Sequence, residues 1–139
     1  MNRYTRNMNT LSEEENKSLK SFKVCVVGCG GLGGYIIEEL GRIGIGHITA
    51  VDADVFDETN LNRQILSDTT LIGFSKSQAA YNRMQKVNPE ITLNAIHQRL
   101  DADNGMDIIK GHHVVVDALD NAPTKKLLGK LCSELDIPL

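Results

Sequence analysis

The 139-residue sequence predicts an α/β fold, a doubly wound parallel sheet between two layers of helices, of which the chain holds the N-terminal half. Three observations predict it. Short β-branched runs alternate with segments of helical period. A glycine-rich turn joins the first strand to the first long helix. An aspartate closes the second strand. Hydrophobic residues are 41% and charged residues 24% of the chain, which suits a globular domain and excludes extended disorder. The net charge of −3 argues against a general nucleic-acid binder. No apolar run reaches the roughly eighteen residues a membrane span needs, and the polar start MNRYTRNMNT lacks a signal peptide's apolar segment. Cys25, Cys29 and Cys132 have no metal-ligand spacing and read as small, buried, reduced residues of a cytoplasmic protein.

The elements follow in order. Residues 1–20 are a polar arm, in which Ser12-Glu13-Glu14-Glu15 fits a capping box and predicts a short helix over about 13–20. Phe22 to Val27 is a short apolar run and predicts a buried strand. Leu32, Ile36, Leu40 and Ile43 recur at helical spacing until Gly44 and Gly46 stop the helix. His47 to Val51 is the second strand. Residues 53–75 show no period, but Val55, Phe56, Leu61, Ile65 and Leu66 recur through them and predict an ordered loop. Lys76 to Val87 reads as a helix stopped by Asn88-Pro89. Ile91 to His97 alternates as a strand, 103–110 is a short helix, and His113 to Asp117 is a fourth strand. Pro123 opens a helix running to about Glu134. Ile137-Pro138-Leu139 looks like the start of a fifth strand. Right-handed crossovers then give the strand order 3-2-1-4, with the fifth beyond the fourth. A sheet ending on an opening strand implies that residues 21–139 are the first part of a larger domain.

Gly28-Cys29-Gly30-Gly31-Leu32-Gly33 matches G-x-G-x-x-G between strand and helix, the Rossmann-like arrangement. Its glycines let the backbone approach a phosphate, and the helix-start amides receive the charge. Asp52, nineteen residues beyond Gly33, stands where a carboxylate accepts ribose hydroxyls. The long loop carries Asp54, Asn60, Arg63 and Gln64 towards the same crevice. Arg63 and Lys76 are cations able to hold a triphosphate, and neither has an expected role in the core; taken alone, either also reads as a surface charge. The fourth strand leads into Asp120-Asn121 at the switch point of the sheet. Asp120 is explained by Mg²⁺, which takes one or two carboxylates plus phosphate oxygens. Equally, Asp120 or Asn121 is an N-cap for the helix at Pro123.

In order along the chain, R-Y-T-R-N, G-C-G-G-L-G, D-A-D, N-L-N-R-Q, the Lys76 helix, V-N-P-E-I and D-A-L-D-N resemble the ThiF/MoeB/HesA family, bacterial relatives of ubiquitin-activating (E1) enzymes. The resemblance runs from about Tyr4 to Pro138. It implies a Rossmann-like ATP-binding domain that adenylates a carboxylate, usually the C-terminus of a ubiquitin-like sulfur-carrier protein and in some relatives a group on a modified tRNA base. It also implies a homodimer. By that resemblance Asp52 is the ribose acid, Arg63 and Lys76 the catalytic cations, Asp120 the magnesium ligand, and Asn60 and Gln64 flank the triphosphate. Gly28, Gly30, Gly31, Gly33, Asp54 and Asn121 complete the nucleotide site. Arg6 resembles an arginine that reaches the partner subunit's ATP; without the resemblance it reads as part of a frayed, solvated terminus. Family members are commonly about twice this length. Two other readings stay open: an NAD-dependent oxidoreductase, which G-x-G-x-x-G and Asp52 suit equally, and a nucleotide-binding module without turnover.

Overall fold

The computed structural model describes residues 1–139. Its strands are β1 (Lys23–Val27), β2 (His47–Val51), β3 (Thr92–Ile96) and β4 (Val114–Asp117). They form one parallel sheet in the order β3-β2-β1-β4, the expected doubly wound order. Its helices are α1 (Glu13–Ser18), α2 (Gly31–Ile43), α3 (Lys76–Val87), α4 (Gly105–Ile109) and α5 (Ala122–Glu134). The predicted elements are all present except the fifth strand, with ends shifted by a residue or two; the helix expected over 13–20 ends at Ser18 and passes into a 3-10 turn at Leu19–Ser21.

Both faces of the sheet are covered, so the strands read as continuous apolar runs. Val24 and Val26 of β1 and Ile48 and Ala50 of β2 face a core shared with Ile37 of α2 and Met84 of α3. The alternate residues Cys25, Val27 and Val51 face a second core with Ile109 of α4 and Leu128 of α5. That alternation makes the domain three layers. All three cysteines are buried, Cys25 and Cys132 within this second core.

Residues 137–139, read as the start of a fifth strand, belong to no strand among residues 1–139. Asp136 takes a positive φ of 54° and turns the chain. The Ile137 amide is taken by the Cys132 carbonyl (2.9 Å), and Pro138 has no amide to offer. One backbone bond remains beside β4, from the Val115 amide to the Pro138 carbonyl (2.9 Å).

The N-terminal arm is docked rather than frayed. Tyr4 is buried, and its hydroxyl accepts a hydrogen bond from Asn88 Nδ2 (2.8 Å). Asn88 Nδ2 also donates to the Gly41 carbonyl, and its Oδ1 accepts from Arg3 (both 2.8 Å). Asn88 is 1% exposed, so each polar atom of this buried amide has a partner. The arm therefore sits on the C-terminal ends of α2 and α3.

Those two helices are joined midway by Glu38, whose side chain is 8% exposed. Arg83 of α3 donates to both its oxygens (2.8 and 3.1 Å), and Arg42 adds a third bond (2.9 Å). The bonds from Arg83, then those from Arg42, hold the Glu38 carboxyl below the usual range against its burial. A carboxyl with a depressed folded pKa stabilises above its unfolded value and loses that contribution as pH falls through the folded one. Glu38→Gln is expected to cost about 2 kcal/mol at pH 7. In urea unfolding the gap to wild type should narrow as pH falls below the ordinary carboxylate range; a gap constant with pH would refute this account.

Candidate active site

A cleft of about 530 Å³ opens at the C-terminal ends of the strands, over the switch point between β1 and β4. It brings together the predicted residues Gly28, Gly30, Gly31, Asp52 and Asp54. Arg63, Gln64, Lys76, Asp120 and Asn121 line it as well. Gly33, Asn60 and Arg6 do not.

The cradle is built by close packing. Gly28 has φ 106°, and a Cβ there would lie 2.5 Å from the Ala118 carbonyl oxygen. A Cβ on Gly33 would overlap the Gly28 carbonyl, so Gly33 is a packing residue that lets α2 begin against β1 rather than a wall of the cleft. Asp52 ties the turn down: its Oδ2 accepts from the Cys29 amide and its Oδ1 from the Asp54 amide, both at 2.8 Å. The Cys29 thiol beneath is fully buried, which raises its pKa well above the ordinary value, with the Asp52 charge adding to the rise. It stays protonated and offers no nucleophile.

The long loop is ordered by two 3-10 turns, Glu58–Asn60 and Thr69–Leu71, capped by Asp57 and Asp68. Phe56 and Leu66 enter the core, whereas Val55 and Ile65 face outward. Asn60 closes a capping box, its Oδ1 accepting from the Asp57 amide (2.8 Å), so it shapes the loop instead of facing the cleft. Arg63 is exposed and anchored by Nη1 to the Thr59 carbonyl (3.1 Å) and Asn62 (2.9 Å), with its stem beside Gly31. Gln64 is buried against Gly30, and its Oε1 has no hydrogen-bond partner.

Lys76 corrects the sequence reading of a cation with no part in the core. It is 6% exposed, with its ammonium 5.7 Å over the Phe56 ring. It makes none of the ion pairs of the structure. It is also the first residue of α3, where the helix dipole disfavours positive charge. A largely buried cation with no carboxylate partner at that position, facing the cleft, is favoured by an anion bound there.

At the β4 side, the cap is Asn121, whose Oδ1 accepts from the Thr124 amide (2.9 Å). Asp120 is exposed to the cleft and makes no hydrogen bond or ion pair, so of the two readings of that pair capping belongs to Asn121. Sequence reasoning missed Asp117, Lys125, Gln98 and Arg99, which also line the cleft. The signal for them was positional: each stands at or just beyond the carboxyl end of a strand, or one turn into the helix that follows. Arg6 is exposed at the other end of α2. That helix is thirteen residues, about 20 Å, long, so Arg6 does not reach the cleft of its own chain.

The family model described as ThiF family matches residues 4–139. The SAMP-activating enzyme E1 of Haloferax volcanii is 36% identical across 100% of this chain and 52% of its own length. The tRNA threonylcarbamoyladenosine dehydratase of Haemophilus influenzae is 37% identical across 82% of this chain and 44% of its own. The crystal structure of the E. coli tRNA N6-threonylcarbamoyladenosine dehydratase TcdA in complex with ATP superposes with a TM-score of 0.94 at 32% identity, covering 99% of this chain and 57% of that one. The chain thus spans about half the length of the curated relatives it matches.

Replacing Lys76 tests the electrostatic account directly. Lys76→Met keeps the stem's packing and removes the charge. It is expected to raise the ligand-free melting temperature by about 3 °C while nucleotide binding falls at least tenfold. A melting temperature that drops by several degrees would show that the ammonium stabilises the fold.

Proposed function

Because the chain belongs to the ThiF family, we propose that it is the nucleotide-binding part of an ATP-dependent adenylyltransferase that activates a substrate carboxylate. The observation that carries this reading is Lys76, a largely buried cation with no ion-pair partner at the edge of a glycine cradle. NAD would leave Asp120 facing a pyrophosphate with nothing between them.

In the proposed reaction a carboxylate oxygen of the substrate attacks the α-phosphorus of ATP. The bond from that phosphorus to the bridging oxygen breaks, and acyl-adenylate and pyrophosphate result. No protein nucleophile is required, so the residues position and offset charge. The first amides of α2, beside Gly30 and Gly31, receive phosphate oxygens. Lys76 and Arg63 take the charge that grows on the leaving pyrophosphate. The Asp52 oxygens each hold one backbone amide and keep further lone pairs for ribose hydroxyls. The orphaned Gln64 Oε1 fits a donor on the nucleotide, and Asp54 and Asn121 border the same space. Asp120 fits Mg²⁺, which commonly takes one protein carboxylate and completes its shell with phosphate oxygens and water. Bound there, the ion would offset phosphate charge.

The acceptor in this proposal is the C-terminus of a ubiquitin-like sulfur-carrier protein. The likeness to two tRNA dehydratases supports a carboxylate on a modified tRNA base as a second acceptor. No helix is long and apolar enough to cross a membrane. Three buried free thiols suit a reducing compartment, and we place the protein in the cytoplasm. We also propose a homodimer in which Arg6 serves the partner's cleft, since its own lies a helix length away.

ATP–pyrophosphate exchange in the natural full-length protein tests the reading. Exchange should require a carrier protein with a free C-terminus and Mg²⁺, and Arg63→Ala should lower it about a hundredfold. Exchange that responds to tRNA and not to a carrier would move the acceptor to the second reading. Tight, metal-independent NAD binding by calorimetry would overturn adenylation. Arg6→Ala should be similarly weak alone. Mixed with Arg63→Ala it should recover about a quarter of wild-type exchange, because half the dimers carry one intact site. No recovery on mixing would exclude action across the dimer.

A further inference from the structure

We propose that Asp117 is a positioning residue that sets the turn carrying Asp120. The inference rests on the adenylation reading above, in which Asp120 faces a phosphate-bound cation. Asp117 closes β4, paired in register with Val27 of β1. Its side chain is 21% exposed. Its Oδ1 accepts from the Leu119 amide (3.0 Å) and from Lys125 Nζ (3.1 Å). Just after it, the Ala118 amide donates to the Val27 carbonyl (2.9 Å), and beyond Asp120 the Asn121 cap closes on Thr124.

The turn is therefore held at its front by β1, in its middle by the Asp117 carboxylate and at its rear by the helix cap. Asp120 has no hydrogen bond of its own, so its place is set entirely by these neighbours. The same turn is packed on the cradle, since the Ala118 carbonyl lies against Gly28. A shift of Leu119 would move Asp120 relative to the phosphate-binding amides. Lys125, one turn into α5, has a further effect. Two carboxylates three residues apart at one crevice would repel each other and compete for one cation. The pairing with Lys125 occupies Asp117 and leaves Asp120 as the free ligand. The oxygen acceptor holds the turn, and the charge pair sets the division of labour between the two acids.

The test uses the natural full-length protein with Asp117→Ala and Asp117→Asn. The asparagine keeps an oxygen for the Leu119 amide and for Lys125. Two readouts are taken: hydrogen exchange of the Leu119 amide without nucleotide, and the Mg²⁺ dependence of ATP binding by calorimetry. In Asp117→Ala, Leu119 should exchange at least tenfold faster, and half-saturation should need about tenfold more Mg²⁺. Asp117→Asn should recover most of both. If Asp117→Ala does not fold, Lys125→Met is used: it should leave Leu119 protected, because Asp117 keeps that amide, and shift the Mg²⁺ dependence about threefold, because Asp117 is then free to compete. Wild-type Leu119 protection and wild-type Mg²⁺ dependence in the alanine variant, or wild-type Mg²⁺ dependence in Lys125→Met where that variant replaces it, would overturn the proposal. The two readings fail separately. Wild-type protein that binds Mg²⁺-ATP but exchanges no pyrophosphate would sink adenylation, while the Leu119 and Mg²⁺ shifts would still report on Asp117.

Discussion

The contact on which this molecule depends is the meeting of two backbones at the end of β1. The Gly28 carbonyl lies where the Cβ of any other residue at position 33 would be, and Gly28 in turn leaves no room between itself and the Ala118 carbonyl. Only glycines allow both approaches. As a result α2 starts close behind the central strand, and its first residues, Gly31 and Leu32, line the cleft. The turn after β4 is brought to the same point. Asp52 then fastens the arrangement from the neighbouring strand through the Cys29 amide. Three strand ends are thus fixed against one another by steric exclusion and by the bond from the Cys29 amide to the Asp52 carboxylate.

Around this rigid centre the charges are divided into those that are satisfied by the protein and those that are not. Asp52 and Asp117 hold backbone amides, and Asp117 also holds Lys125. Asp120 holds nothing, and Lys76 has no ion pair, only the Phe56 ring beneath it. Preorganised charge of this kind is unfavourable in the free protein and becomes useful when a ligand of complementary charge arrives. Away from the cleft the opposite case prevails: Asn88 and Glu38 are saturated with partners from the arm and from Arg42 and Arg83.

Much of this was legible in the sequence. Alternating β-branched runs located all four strands, and the handedness of their crossovers set the sheet order. The glycine spacing and Asp52 located the cleft. What stayed hidden depended on distance in space. Nothing local to Lys76 tells that Phe56, twenty residues back, folds under it. Gly33 fits a phosphate motif on paper, but its use is to receive the Gly28 carbonyl. Asn60 sits within the most distinctive segment of the loop and turns its side chain to the Asp57 amide. Asn88 read only as a helix stop, because its partners Arg3, Tyr4 and Gly41 are scattered along the chain. Residues 137–139 were read as the start of a strand, and the one bond they make to β4, from the Val115 amide to the Pro138 carbonyl, could not be read from sequence.

The docking of the arm through Asn88 bears on the order in which the chain assembles. Its anchoring bonds join residues 84 and 85 positions apart, Tyr4 and Arg3 to Asn88. Loop closure over such a span cannot be rewarded until the intervening strands and helices exist. The arm therefore takes its place later than its position in the sequence suggests. Arg3 and Tyr4 cannot reach Asn88 until the end of α3 has been synthesised, and β3 follows only after it.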